Sequence, residues 1–535
     1  MRGGSSGRVS FCESSIERLF EHVTAWRTWI FKPAVGALRP NTIHEPIEGA
    51  VPNKKCPEDS PMRNCFEVFT RVSRAIRNRV WLGIRTLVQL WGIRLRAMRD
   101  RLPPLPPGRL GINDHGFWQD DLFLLRQSRR FGPVFKTNIS GQLVACVVDH
   151  RRSRAILNEN VQRLEAVNGP YNGLVPGGFL RCQTGELHRT TRRIFTRALH
   201  HDLVGNNDVA LREIVQRELS IFASACETRM PNNGEFLRTL DRIATAMLLL
   251  LFFGVRFGET AFATLLSCYA RLGPKEFVWA IGPAQQQAFA DLAATTHGLI
   301  TELQLSAAGR APSVLLELVV GQVAAPVNEN VVGNLIYMVE MGRYDLYSLF
   351  HWIMKHLSDN PAIVAEISTE EGAAPDTVNF AMASVLETLR VNQAEAVVRR
   401  VVENITFDGW GIPKGGFLRA CIREGHRDPA VFPDPDRFDP RRFMGRKYGP
   451  DEYSPFGFDH HQCIASDLVI RLGSIFVEEL VHRFYWQVLA DGPCHRGTYH
   501  WAPSAAFAIR LMPRDPVHRL PPDTCVGSKN CRGKQ

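Results

Sequence analysis

The chain has 535 residues, 45% of them hydrophobic, so it can bury a large core, and its formal net charge is +10. Twelve cysteines without paired spacing argue against a disulfide framework, and the absence of nucleic-acid fingerprints leaves an anionic membrane or an acidic partner protein as the meaning of the charge. No charged, apolar, small-residue leader opens the sequence, so a reduced, cytosol-facing compartment is expected.

Residues 1 to about 60 are rich in Gly, Ser, Pro and Asn and read as a poorly ordered lead. From Phe66 to Met98 the pattern becomes helical, with Phe69, Val72, Ile76, Val80, Ile84, Leu87 and Trp91 on one side and arginines around them. Those arginines exclude a simple spanning helix. Two readings stand: a basic amphipathic helix lying on an anionic membrane, or a helix packed on its own domain. The stiff run Pro103-Pro104-Leu105-Pro106-Pro107-Gly108 marks the boundary between an amino-terminal extension, 1–102, and a folded module, 103–517, with a tail at 518–535.

Alternation and a Gly-Pro break predict strands near 131–148. A glycine-rich loop, Gly169 to Gly178, precedes a helix opening near Gly185 whose one face carries His188, Arg189, Arg192, Arg193 and Arg197. Ile243 to Val255 is strongly apolar but too short to span a bilayer, so a buried core helix is expected. Phe257 to Val320 gives helical patterns without a polar constellation. Asn330 to Leu357 is a long helix ending at Asn360-Pro361, and a later helix places Glu387 and Arg390 on one face at i, i+3. Strands follow near 397–421 and 500–511.

Near the carboxy terminus, Pro455-Phe456-Gly457-Phe458-Asp459-His460-His461-Gln462-Cys463-Ile464-Ala465 presents one cysteine from a turn-rich loop just ahead of an amphipathic helix. The helix start offers N–H donors and a favourable dipole to a thiolate. Beside a metal-bound thiolate stand two plainer readings, an ordinary buried cysteine and a zinc site from His460, His461 and Cys463.

The loop resembles the haem-binding segment of the cytochrome P-450 family: Phe456, His461, Cys463 and Ala465 fall on its pattern, and Asp459 stands where its glycine does. The order of the Glu387-Thr388-Leu389-Arg390 helix, the Phe432 to Phe443 segment and the cysteine loop resembles the same family. The resemblance, from about Pro103 to Pro513, implies a mainly α fold with small β-sheets (α+β), the triangular haem-thiolate architecture. It implies haem b with Cys463 as axial iron ligand; His461, Arg399, Phe456, His188 and Arg192 at the cofactor; and Glu387, Arg390 and Arg437 as a buried structural triad. It also implies a monooxygenase that inserts one oxygen atom from O2 into a largely apolar organic molecule. The chain has no dinucleotide fingerprint, so NAD(P)H electrons are expected through a separate reductase or ferredoxin.

Aligned on Trp352 and Asn360-Pro361, Gly342 falls where the family's glycine opens an oxygen groove, and Tyr344-Asp345 where an acid or amide and a threonine deliver protons. Asp345 is the candidate replacement, relaying protons through water. Alternatively Tyr344 fills the groove, or both residues serve local hydrogen bonds only. A peroxide- or hydroperoxide-using enzyme without a reductase, and a non-catalytic haem-binding protein, remain as rivals.

Overall fold

The computed structural model describes residues 83–84, 87–88, 91–93, 95–110, 115–167, 169–200, 202–273, 281–321, 327–370, 377–393, 395–497 and 500–514. The expected lead, the first part of the expected basic helix and the carboxy-terminal tail lie outside them.

The helices that build the site are α1 (Gly185–Ala198), α2 (Asp208–Thr228), α3 (Asn233–Phe253), α4 (Thr260–Leu272), α5 (Glu329–Asp359), α6 (Phe380–Val391) and α7 (Ser466–Arg483). Capping residues set several of their starts. The side chains of Asn232, Asn328 and Asn379 accept from Glu235 N, Val331 N and Met382 N, each satisfying an otherwise orphaned N–H. Gly254, at φ 70°, closes α3 in the left-handed conformation that glycine adopts without strain. Every residue from Ile243 to Phe253 is buried, as the apolar run requires. With α2, α5 and α7 this helix forms the main core, and each buried leucine contributes about 1.5–3 kcal/mol.

Strands β1 (Val134–Ile139), β2 (Gln142–Val147), β3 (Leu164–Ala166), β4 (Ala396–Val401), β5 (Ile405–Phe407), β6 (Trp410–Ile412) and β7 (Phe417–Cys421) lie where alternation predicts them, apart from the short β3. Five form one sheet in the order β1-β2-β7-β4-β3, and β5 and β6 form a separate hairpin. The register sets Arg399 of β4 opposite Ala166 on one side and Leu418 on the other. Period-two alternation then turns Arg399 inward and Arg400 outward. Strands β8 (Phe484–Ala490), β9 (His495–Arg496), β10 (Trp501–Ala502) and β11 (Ala508–Pro513) make two further two-stranded sheets, β9 with β10 and β8 with β11. The β9–β10 turn delivers His500 toward α5. The mainly helical fold with small sheets is the class the sequence predicts.

The proline run is tied to this body: Gly411 N donates to Pro104 O at 2.9 Å, and Lys136 N to Pro107 O at 2.7 Å. Ahead of it, helix covers described positions between 83 and 99. Ile93 is buried, while Ile84, Leu87, Val88, Trp91, Leu95 and Met98 are all exposed, Trp91 at 69%. Among the described residues no helix is long and apolar enough to cross a membrane.

Candidate active site

The cysteine loop is shaped by its own backbone. Cys463 N donates to Phe456 O at 3.0 Å and Gln462 N to Asp459 O at 2.8 Å. The tight turn belongs to Gly457, at φ 100°, so position 459 has no need of glycine. Cys463 lies three residues ahead of α7, with the Ala465 N–H near enough to favour its thiolate form. The cysteine is enclosed by protein on nearly every side yet carries accessible surface. Arg181 combines the same two properties. Together they mark the lining of an internal hollow. Burial raises the Cys463 thiol pKa, and the charge of Asp345 adds to the rise, so the thiolate form calls for a cation.

Asp345 sits mid-way along α5 within electrostatic reach of Cys463, and its side chain is 52% exposed although the helix around it is largely buried. It faces the same hollow. His500 Nε2 meets Asp345 Oδ1 at 3.1 Å, and Gln393 Nε2 donates to the Asp345 backbone oxygen at 2.6 Å. Burial lowers the His500 pKa, but the bond to Asp345 outweighs it and the net shift is upward.

The neighbours of Asp345 depart from expectation. Tyr344 points away from the hollow, its hydroxyl donating to Gly273 O at 2.7 Å beyond the end of α4. Arg343 Nη2 donates to the same oxygen at 2.8 Å and is buried against Glu340. Tyr344 therefore neither fills a groove nor reaches the reacting centre. A side chain at Gly342 would meet Leu248 of α3 at 3.3 Å, so this glycine permits close helix packing.

Around the rim lie the imidazoles of His188, His460 and His461, whose ligand atoms gather within 4.8 Å. His188 Nε2 and His461 Nδ1 are buried and lack hydrogen-bond partners. Arg192 of α1 reaches over and donates to Gln462 O at 2.8 Å. Burial, then His460 and Arg192, push the His188 pKa down to about 4, leaving a neutral donor. The zinc set weighed from sequence included Cys463, but the cluster recruits His188 in its place. With Arg192 beside it, the cluster suits an anionic carboxylate better than a cation.

Arg399, expected at that carboxylate, is engaged elsewhere: its Nη2 donates to Asp459 Oδ2 at 2.7 Å. Asp459 Oδ1 accepts from His461 N at 2.9 Å. The scaffold pair is formed, with Glu387 and Arg390 wholly buried and bonded at 2.7 and 2.8 Å. Its third member differs from the expected one. Arg437 is exposed and supplies only its backbone oxygen to Arg390, at 3.3 Å, while the nearly buried guanidinium of Arg442 lies 3.4 Å from Glu387.

A cytochrome P450 family model matches residues 348–497, spanning the end of α5, the Glu387–Arg390 helix and the cysteine loop. Over this segment the chain is similar to the cytochrome P450 family. Among curated relatives, this chain is 24% identical over 416 residues to abscisic acid 8'-hydroxylase 1 of Oryza sativa subsp. japonica, covering 72% of this chain and 85% of the relative. It is 23% identical over 457 residues to abscisic acid 8'-hydroxylase 2 of Arabidopsis thaliana, covering 79% and 92%. Among solved structures, a retinoic acid-bound cyanobacterial CYP120A1 matches with TM-score 0.62 and 21% identity over 77% of this chain and 100% of that one. The haem domain of cytochrome P450DA matches with TM-score 0.62 and 19% identity, covering 77% and 97%. The family is one of P450-type monooxygenases and binds haem.

The residues present fit that group. A cysteine sulfur facing an internal hollow lacks a cation, and a rim of unpartnered imidazoles with Arg192 lacks an anion. Haem, with iron at its centre and carboxylates at its edge, supplies both. Sequence reasoning missed His500 and Arg181: His500 stands 155 residues from Asp345, and neither residue lies in a local motif.

Proposed function

We propose that this chain is a haem-thiolate monooxygenase in which Cys463 ligates haem iron and one atom of O2 is inserted into a small organic substrate. The observation that carries the reading is the placement of the Cys463 sulfur at the start of α7, on a hollow whose far wall is Asp345 of α5. Bound haem supplies the oxygen-activating iron, and thiolate ligation increases its electron density. His188, Arg192 and His461 would hold the cofactor's carboxylates, and Phe456 would fix the loop from beneath.

Asp345 and His500 take the role of the missing acid-alcohol pair. A proton held between Asp345 Oδ1 and His500 Nε2 would be available to the hollow. Electrons from NAD(P)H would arrive through a separate reductase or ferredoxin. The exposed apolar stripe on the helix before the proline run, flanked by arginines, supports peripheral attachment to an anionic membrane.

The test is the reduced, carbon-monoxide-bound spectrum of wild type and Cys463→Ser, followed by turnover with reductase and NADPH against turnover with peroxide. A red-shifted thiolate band present only in wild type, and turnover that needs the reductase, are expected. Reductase-independent turnover with a hydroperoxide would move the protein to the peroxide-using class, and no turnover in either arm would leave a haem carrier.

A further inference from the structure

We propose that Arg181 is the substrate-recognition residue of the distal pocket and that the substrate is an organic acid whose carboxylate it holds. The inference deepens the haem-thiolate reading and rests on it.

The turn bearing Arg181 is clamped onto the distal helix by three residues at helical spacing. The Phe179 ring stacks on Tyr337, with centroids 3.6 Å apart and planes 7° apart. Leu180 N donates to the buried Asn334 Oδ1 at 2.6 Å. Gln183 Nε2 donates to Gly178 O at 2.8 Å and reaches Asn330 Oδ1 at 3.4 Å. Asn330, Asn334 and Tyr337 stand at i, i+4 and i+7, on one face of α5. At Gly333, between them, a side chain would run into Val175 at 2.6 Å, so glycine is what lets helix and loop approach this closely. The backbone of Arg181 is thus held on both sides before any ligand arrives.

Its side chain, exposed yet enclosed by protein, faces the hollow with Tyr337 as its nearest polar neighbour. A guanidinium carries five N–H donors, and one neutral hydroxyl leaves most of them unused. Among the described residues no carboxylate closes an ion pair with Arg181. Asp345, the acid within its electrostatic reach, is engaged by His500. An enclosed cation without a counter-anion is costly, and a planar fork facing a hollow is complementary to a carboxylate. Two carboxylates can enter that hollow, one on the substrate and one on the cofactor. The unpartnered donors suited to the cofactor surround the cysteine loop, at His188, His461 and Arg192. Arg181 is tethered instead to the amino-terminal half of α5, on the wall that faces the thiolate loop, and this assigns it to the substrate.

The experiment uses full-length, haem-loaded protein as wild type, Arg181→Gln and Arg181→Lys. Dodecanoic acid against methyl dodecanoate, and naphthalene-1-acetic acid against its methyl ester, are titrated by the Soret shift and by calorimetry. Wild type should bind at least one acid tenfold or more tighter than its ester. Arg181→Gln should erase that preference with ester affinity and haem content unchanged, and Arg181→Lys should keep part of it. Equal binding of acid and ester by wild type, binding of neither, or a preference surviving in Arg181→Gln overturns the proposal. Loss of haem from Arg181→Gln with the acid preference intact would assign the guanidinium to the cofactor's carboxylate and also overturn it. A wild type without the thiolate band defeats the parent reading, whereas a normal band without acid preference defeats this inference alone.

Discussion

Arg399 and Asp459 hold each other: Nη2 and Oδ2 are 2.7 Å apart, and only 10% and 4% of the two side chains remain exposed. One is the arginine that the family resemblance assigns to the haem carboxylates, and the other replaces the glycine of its cysteine loop. The chain neutralises internally a cation expected at the cofactor. Asp459→Gly should therefore free Arg399 for the cofactor. A charge-assisted hydrogen bond is worth about 1.5–3 kcal/mol, so transfer of haem to apomyoglobin should slow by roughly tenfold or more. The haem-free variant should melt lower, because its buried guanidinium is unpaired. Haem transfer as fast as in wild type would mean that Arg399 does not reach the cofactor even when released.

Glu387 accepts from Arg390, from Asp439 N at 2.9 Å and lies beside Arg442, with no exposed surface. Glu387→Ala should cost on the order of 3–5 kcal/mol by stranding Arg390, and folded yield should fall sharply. Arg437→Ala should stay within about 0.5 kcal/mol of wild type, since its side chain is exposed and only its backbone is used. Thermal denaturation separates the two. A larger loss for Arg437→Ala than for Arg442→Ala would reverse the assignment of the third member.

The bond between His500 and Asp345 gives a pH signature. Because the folded pKa of His500 is raised, the imidazolium contributes stability that is fully present below its ordinary value of 6.5 and is lost as pH rises through the folded value. Asp345→Asn should lower the His500 titration midpoint seen by NMR and shift the stability profile in the same sense. With reductase and NADPH, the same variant should release more hydrogen peroxide per NADPH consumed while substrate affinity holds. An unmoved His500 midpoint would dissolve the pair, and unchanged coupling would send protons by another route.

The helix before the proline run turns Trp91, Leu95 and Met98 outward together. Replacing Trp91 and Leu95 by Glu should abolish flotation with vesicles containing anionic phospholipid and leave haem content intact. Flotation unaffected by the double substitution would assign membrane contact to another part of the chain.

Much of this architecture was legible in the chain itself. The long distal helix, expected over Asn330 to Leu357 and found over Glu329–Asp359, declares itself through periodicity and an asparagine cap. The cysteine loop declares itself by the turn at Gly457 and the helix behind it. These signals are local, carried by residues within a few positions of one another, so backbone preferences and burial decide them before the chain is folded up. What pairs with what is of another kind. Whether position 459 faces Arg399, whether His500 arrives at Asp345 from 155 residues away, and whether Arg437 or Arg442 turns toward Glu387 depend on how elements dock. Tyr344 teaches the same lesson: one residue from Asp345 in sequence, it lies about a quarter-turn away on the helix, and packing against α4 spent its hydroxyl on Gly273 while Asp345 faced the hollow. Periodicity could define the faces of α5, but only its neighbours in three dimensions determined which face met the hollow, because a buried polar group takes whichever partner the docked elements bring within hydrogen-bond reach.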